Sequence, residues 1–99
     1  MTEQPSKLRF HDNTDARRYE AHLGDELAGL LEYHAQPGLV TLLHTEVPRA
    51  FEGQGVASGL IGFALEDIRE RGLQVLPVCP FVIAYLERHP EQRDLLRDR

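Results

Sequence analysis

The chain lacks several features that mark whole classes of protein. It has one cysteine, Cys79, and no tryptophan among its 99 residues. A single cysteine cannot form an internal disulfide, which favours a reducing compartment, and we expect the cytoplasm. No apolar run is long enough to cross a bilayer, and the first residues, MTEQPSKLRF, lack the apolar segment of a signal peptide. We therefore expect no membrane association.

Basic residues are also in short supply. The chain has 11 Lys and Arg against 16 Asp and Glu, which gives a formal net charge of -5. A nucleic-acid-binding protein normally presents a basic face, so we expect no nucleic-acid partner and favour a small-molecule or cationic one. His11, His22 and His34 alternate with apolar residues on separate predicted strands, and no spacing of ligating residues resembles a closed metal site. No bound metal is expected.

The first half of the chain has the two-residue period of β-strands. Leu8 and Phe10 alternate with polar neighbours, which indicates a half-buried strand. The pair Gly24–Asp25 is typical of a two-residue hairpin turn, and residues 36–38, QPG, predict a second turn. We therefore predict an antiparallel meander of four strands with short connections.

The second half changes to a helical period. Apolar residues from Val56 to Ile68 recur at helical spacing, and Gly72 stands where a helix-ending glycine is expected. The apolar run QVLPV predicts a buried strand, and Pro80 suits the first turn of a second helix. The predicted fold is α+β in the order β-β-β-β-α-β-α, with a mixed, mainly antiparallel sheet, and one domain over residues 1–99.

The glycine-rich segment EGQGVAS lies between the fourth strand and the first helix. The first turn of a helix offers unpaired backbone N–H groups and about half a positive charge, and glycines let an anion approach them closely. Gly53 and Gly55 could therefore hold a phosphate, or they could only shape a turn. The segment is not a P-loop, because no Gly-Lys-Ser/Thr follows it. Spacing alone favours the turn.

Its context resembles the GCN5-related N-acetyltransferases. A strand ending TEVP, then EGQGVASGLIGFAL, an apolar strand and a second helix have that family's order. Its Q/R-x-x-G-x-G/A signature, which binds the pyrophosphate of acetyl-CoA, maps here onto residues 52–57, with Glu52 in place of the usual Gln or Arg. The resemblance implies that Val47 holds the pantetheine arm. It assigns the pyrophosphate to the backbone of Gly53, Gln54, Gly55, Val56, Ala57 and Ser58.

The resemblance is closer to the family's minimal, single-domain subgroup, sometimes called YjdJ-like. The segments GQGVASGL and LPVCPFVIAYLERHPE carry it, and it covers residues 7–96. This subgroup lacks the N-terminal helices that cover the acceptor site in larger members. The resemblance therefore implies an open acceptor side that suits a primary amine, either a protein lysine or a small amine. A chain this short with an exposed edge strand is expected to be a monomer or a weak dimer.

Three residues are candidates for the chemistry of acetyl transfer. His44 and Glu46 are two apart on a strand and share a face, where a base could remove the amine proton. Cys79 precedes Pro80 near the start of a helix, a position that favours a thiolate. The subgroup resemblance implies that Cys79 faces the thioester, either as an acetylated intermediate or as the acid that protonates CoA. Leu86 occupies the place of the tyrosine acid of larger members, and Tyr85 is interpreted as a packing residue.

Three functions are therefore compatible with the sequence. The first is an acetyl-CoA-dependent N-acetyltransferase. The second is a non-catalytic module that binds CoA or acyl-CoA, favoured by the departures at Glu52 and Leu86. The third is a small protein-interaction domain that has no affinity for CoA.

Overall fold

The structure is a computed structural model that describes residues 8–97, and it confirms the predicted order of elements. The strands are β1 (Leu8–Asn13), β2 (Arg18–Leu23), β3 (Glu26–Gln36), β4 (Leu39–Glu46) and β5 (Gln74–Pro77). The helices are α1 (Val56–Glu70) and α2 (Pro80–Arg88), with short 3-10 turns at Arg49–Phe51 and Pro90–Leu95. The predicted domain reaches beyond this range, because residues 1–7, 98 and 99 lie outside the described residues.

The five strands form one mixed sheet in the order β1-β2-β3-β4-β5. The first three pairs are antiparallel, and only β4 and β5 run parallel, so the α+β prediction is confirmed. The parallel pair needs a crossover, which α1 provides. Register shifts occur at Ala21–His22 in β2 and at Glu32–Tyr33 in β3.

The turns follow the predicted glycine chemistry. Gly24 and Gly38 adopt left-handed conformations in the two-residue turns that join β2 to β3 and β3 to β4. Gly72 ends α1 in a left-handed conformation, and the Leu73 amide donates to the Ile68 carbonyl at 3.1 Å, which is the 6→1 bond of a Schellman motif.

One hydrophobic core lies between the sheet and the two helices. Alternate residues of the strands supply one side of it, including Tyr19, Leu31 and Leu42, while α1 and α2 supply the other through residues such as Leu60 and Leu86. In the part of the chain that the structure describes, both helices contribute to this single core and contact each other. The opposite face of the sheet carries mostly polar side chains. No helix among residues 8–97 is long and apolar enough to span a bilayer.

The two parallel strands separate before β4 ends. Their register runs from Leu39–Gln74 to Leu42–Pro77, after which the amides of Val78 and Cys79 both donate to the Leu42 carbonyl at 3.0 Å. The chain then turns into α2 at Pro80, whereas β4 continues to Glu46. This divergence opens a groove between the end of β4 and the start of α2.

Candidate functional site

The groove has a volume of about 700 Å³, which is in the usual range of roughly 300–1,000 Å³ for small-molecule sites. It is bordered by the start of β3, the end of β4 and the start of α1, with Phe81 of α2 on its wall. Its lining comprises Leu27, Gly29, Leu30, Thr45, Glu46, Val47, Pro48, Phe51, Glu52, Gly53, Gly55, Val56, Ala57, Ser58 and Phe81.

The loop that leads into α1 leaves several backbone amides without a described partner. Gly53 and Gly55 have φ angles of +82° and +77°, in the left-handed region where a side chain is strained. Gly55 is the N-cap of α1, and no described side chain caps this helix. The first amide to close onto the helix is that of Gly59, which donates to the Gly55 carbonyl at 2.9 Å. Earlier amides are therefore left for another acceptor, and the helix dipole favours a negative one.

A glycine inside β3 brings the start of α1 against the sheet. A Cβ atom on Gly29 would lie 2.6 Å from Val56 Cγ1 and 3.2 Å from the Glu46 carbonyl oxygen. Only a residue without a side chain lets the helix approach β3 this closely. Gly29 thus sets the distance between the glycine loop and the end of β4, and with it the width of the groove.

Most of the residues predicted to bind the cofactor lie on the wall of the groove. Six of them line it: Val47, Gly53, Gly55, Val56, Ala57 and Ser58. Gln54 lies in the same loop but outside this lining. Glu52, the residue that departs from the family signature, also lines the groove, so its carboxylate is close to the predicted anion site.

His44 and Glu46 form a pair at the edge of the groove. Their side chains lie on the same face of β4, with 2.9 Å between His44 Nε2 and Glu46 Oε2, and both are exposed. Glu46 lines the groove and His44 lies one pleat away from it. A carboxylate in this position orients the imidazole through their shared contact.

Cys79 lies behind the wall of the groove. Its side chain is buried, with 1% of the residue exposed, and the sulfur is 3.2 Å from the hydroxyl oxygen of Thr45. Thr45 itself lines the groove, so it connects the thiol to the site. The backbone of Cys79 caps α2, as predicted from Pro80 at the first helical position. The thiol is thus close to the groove without being part of its surface.

Leu86 and Tyr85, the two positions on α2 considered for a tyrosine acid, both pack against other parts of the fold. Leu86 is buried in the core, with 2% of the residue exposed. The ring of Tyr85 stacks on His89 with centroids 4.1 Å apart, and its hydroxyl lies 3.1 Å from the place where a Cβ on Gly62 would stand. Tyr85 therefore contacts α1 and not the groove, which agrees with its interpretation as a packing residue.

Sequence reasoning missed several residues of the groove. Gly29 had a signal, because an isolated glycine within a strand indicates a close approach of another backbone or ligand. Thr45 and Phe81 had none, since a threonine on a strand and a phenylalanine in a first helical turn are common in any fold. Phe81 is 58% exposed, unusual for so large an apolar side chain, and only the structure shows that it borders the groove.

The other end of α1 is held by a network of buried tyrosines and charges. Tyr19 donates to Asp67 at 2.8 Å and Tyr33 donates to Asp12 at 2.6 Å, while Arg71 lies 3.0 Å from Asp12 and 3.1 Å from Asp67. Burial, and then these hydrogen bonds to carboxylates, raise the pKa of both tyrosines well above the usual value. The network fixes α1 on the sheet, and so it fixes the direction in which the N-terminus of the helix points.

Known proteins resemble the chain over most of its length. The sequence model of the family described as GCN5-related N-acetyl-transferase matches residues 18–95. Protein NATD1 from Mus musculus is 30% identical over 90 residues, which are 89% of this chain and 82% of that protein. Protein NATD1 from Homo sapiens is also 30% identical, over 89% of this chain and 80% of its own length. The fold matches a GCN5-like protein from Staphylococcus aureus, solved by NMR, with a TM-score of 0.68 at 20% identity, covering 98% of this chain and 93% of that one.

Proposed function

Because the chain belongs to the GCN5-related N-acetyltransferase family, we propose that it transfers the acetyl group of acetyl-CoA to a primary amine. The observation that carries this proposal is the groove at the end of β4, which is bordered by a helix N-terminus without a side-chain cap. The left-handed glycines at positions 53 and 55 leave room for a pyrophosphate beside the backbone amides of residues 53–58. The backbone of Val47 would hold the pantetheine arm.

The amine must lose a proton before it can attack. An unperturbed lysine amine has a pKa of about 10.4, so only about one molecule in 2,500 is neutral at pH 7. In the proposed mechanism His44 accepts this proton, either directly or through a water molecule, and Glu46 stabilises the resulting imidazolium across the 2.9 Å contact. Acetyl-CoA supplies the thioester whose carbon–sulfur bond breaks as the new carbon–nitrogen bond forms.

The leaving thiolate of CoA needs a proton in exchange. Leu86 cannot supply it, and Tyr85 faces α1. We assign this role to the Cys79 thiol acting through the Thr45 hydroxyl, because the two atoms are 3.2 Å apart and Thr45 is the one on the groove wall. The thiolate left on Cys79 regains a proton from water by the same route after the products leave. The burial of Cys79 favours this acid role over a covalent acetyl intermediate on its sulfur.

The acceptor amine would approach from the face of the sheet that carries His44 and Glu46. The face of the sheet that carries His44 and Glu46 is opposite to the core formed with α1 and α2. Both side chains are exposed, and their pairing leaves a carboxylate beside the place where a cationic amine would approach. A protein lysine or a small amine would fit this side.

A pair of glycine substitutions tests the cofactor site. Gly55→Ala and Gly38→Ala place a side chain at nearly the same backbone angle, φ +77° and +76°, with nothing within 4 Å of the new Cβ in either case. Both should lose about 1–2 kcal/mol of stability through the left-handed conformation. We expect calorimetry to show acetyl-CoA binding that is at least about tenfold weaker in Gly55→Ala alone. If the wild type does not bind acetyl-CoA, or if both variants bind it equally more weakly, the glycine loop is only a turn and not a cofactor site.

Turnover separates the enzyme from the rival CoA-binding module. Purified protein and acetyl-CoA would be incubated with lysine peptides and small amines, and release of free CoA would be followed. Intact-mass measurement without an acceptor would accompany this, using wild type and Cys79→Ala. We expect acetylated amine and no protein adduct. A hydroxylamine-labile adduct that is lost in Cys79→Ala would assign the cysteine to a covalent step instead, and binding without any turnover would favour the module.

The proposal also covers the cellular compartment and the oligomeric state of the protein. We infer that it works in the cytoplasm, where a thiol such as that of Cys79 stays reduced. We also infer that it is a monomer or a weak dimer. Sedimentation at increasing concentrations would check the second inference, and a stable higher oligomer would contradict it.

A further inference from the structure

A cluster of two histidines and a glutamate lies on the polar face of the sheet, apart from the groove. His11 is on β1, while Glu20 and His22 are on β2, and the register pairs His11 directly with Glu20. One ligand atom from each of the three residues lies within 4.8 Å of the others. None of the three lines the groove. We propose that His11, Glu20 and His22 form a binding site for a divalent transition-metal ion of the zinc class.

The distances suit a single ion. Glu20 Oε1 lies 2.9 Å from His22 Nε2 and 3.4 Å from His11 Nε2, so one carboxylate oxygen faces both imidazoles. Two donors bound to one tetrahedral zinc ion lie about 3.3 Å apart, given metal–ligand distances of about 2.0–2.1 Å. In the proposed site, a bound ion replaces the contacts between Glu20 Oε1 and the two imidazole nitrogens.

The second oxygen of Glu20 is held by other residues. Glu20 Oε2 accepts hydrogen bonds from Arg18 at 2.7 Å and from Asn13 at 2.9 Å. These contacts hold Oε2 in place, while Oε1 faces the histidines. Carboxylates that bind a metal ion are commonly held by hydrogen bonds from neighbouring residues in this way.

The three proposed ligands differ in exposure, and the buried Glu20 is held in place before an ion binds. Its side chain is only 7% exposed, whereas His22 is 23% and His11 is 51% exposed. The exposed His11 leaves a route for the ion and for water as a further ligand.

The donor set indicates the kind of ion. Two imidazoles and one carboxylate suit zinc, cobalt, nickel or ferrous iron, whereas calcium and magnesium prefer oxygen ligands alone. The three donors come from two hydrogen-bonded strands, so their spacing is set by the sheet and not by a loop. The sequence could not show this site, because residues 11, 20 and 22 have no metal-ligand spacing until the strands pair.

The test measures zinc binding by the full chain without a histidine tag. Zinc and cobalt would be titrated into metal-free wild type, His11→Ala, His22→Ala and His34→Ala at pH 7.5, since ligation needs deprotonated donors. His34 is the matched control, because it is an exposed histidine on the neighbouring strand β3 and outside the cluster. The readouts are calorimetric stoichiometry, the visible spectrum of bound cobalt and the zinc-dependent rise in melting temperature.

We expect one ion per chain in wild type and in His34→Ala. Loss of a residue that only orients a ligand usually weakens a metal site by about 10–100-fold, so loss of a ligand in His11→Ala or His22→Ala should weaken it at least tenfold. The zinc-dependent rise in melting temperature should disappear with it. Since His11 is exposed, His11→Ala should fold even if His22→Ala does not. The proposal is overturned if wild type shows no saturable binding, if His11→Ala binds as tightly as wild type, or if His34→Ala is weakened equally.

Discussion

The Thr45 hydroxyl and the Cys79 thiol lie 3.2 Å apart and form a buried hydrogen bond between β4 and the start of α2. One partner belongs to the wall of the groove and the other to the core. This contact spans the place where β4 and β5 have already separated, after the Leu42–Pro77 pair. It therefore connects a buried thiol to a groove that the thiol does not line.

Thr45→Val should reveal whether the contact between Thr45 and Cys79 takes part in catalysis. Valine keeps the shape of the side chain but removes the hydroxyl, which should cost about 1 kcal/mol of stability through the lost hydrogen bond. If the pair delivers the proton to CoA, turnover should fall while acetyl-CoA affinity in calorimetry stays unchanged. Thr45→Ser is the control that restores the hydroxyl and should restore the rate. Unchanged turnover in Thr45→Val would assign the pair to folding alone.

Gly29→Ala should disturb the groove from the sheet side. The new Cβ would approach Val56 Cγ1 to 2.6 Å, which forces the start of α1 away from β3. Overpacking of this kind costs about 1–3 kcal/mol, and acetyl-CoA affinity should fall as well. Gly59→Ala is the comparison, since its Cβ would collide with Phe10 Cζ at 2.7 Å on another side of α1. It should alter the melting temperature but leave acetyl-CoA affinity intact. Equal loss of affinity in both would point to general unfolding.

Glu52→Gln should strengthen cofactor binding. Glu52 lines the groove beside the glycine loop, where its negative charge opposes a pyrophosphate. Removing the charge should improve affinity by about twofold to fivefold, in line with the roughly 0.3–1 kcal/mol of a charge near a helix N-terminus. The gain should shrink as salt rises, because exposed charges are screened. Calorimetry at two salt concentrations would measure this, and unaltered or weaker binding at low salt would count against an anion site in this loop.

Acid should weaken the fold through Glu20. Its pKa of about 2 in the folded chain is below the ordinary value of 4.5, so the stabilisation is present above about pH 4.5 and is lost as pH falls toward 2. Glu20→Gln should destabilise the fold by about 2 kcal/mol at pH 7, the usual worth of hydrogen bonds to a charged group. It should also reduce the loss of stability between pH 4.5 and 2.5 in urea unfolding. Glu26→Gln, an exposed glutamate of β3, should behave as wild type.

The order of elements could be predicted because it depends on local rules. Glycines at positions 24, 38 and 72 mark turns or a helix end wherever they stand, and each has a left-handed φ in the structure. The change from a two-residue to a helical period separated the meander from α1. The glycine loop was also predictable, since Gly53 and Gly55 precede a helical pattern directly.

The details of the site depend on contacts between strands and could not be predicted. The burial of Cys79 behind Thr45 follows from the point at which β4 and β5 separate, and no pattern along one strand specifies that point. The alternation of β2 predicts an exposed Glu20, but neighbours on its own strand and on the adjacent strand bury it. Pairing across the sheet decides both.

The parallel pair of strands has a consequence for the order in which the chain acquires structure. Strands β1 to β4 are joined by connections of two to four residues, whereas β5 reaches β4 only after α1. Contacts between distant residues form more slowly than local ones, so we expect the meander to form early and the β4–β5 pair late. Pulsed hydrogen exchange during refolding would show later protection at Val75 than at Leu31. The groove is then the last part of the molecule to assemble, and a bound cofactor should slow unfolding more than it speeds folding.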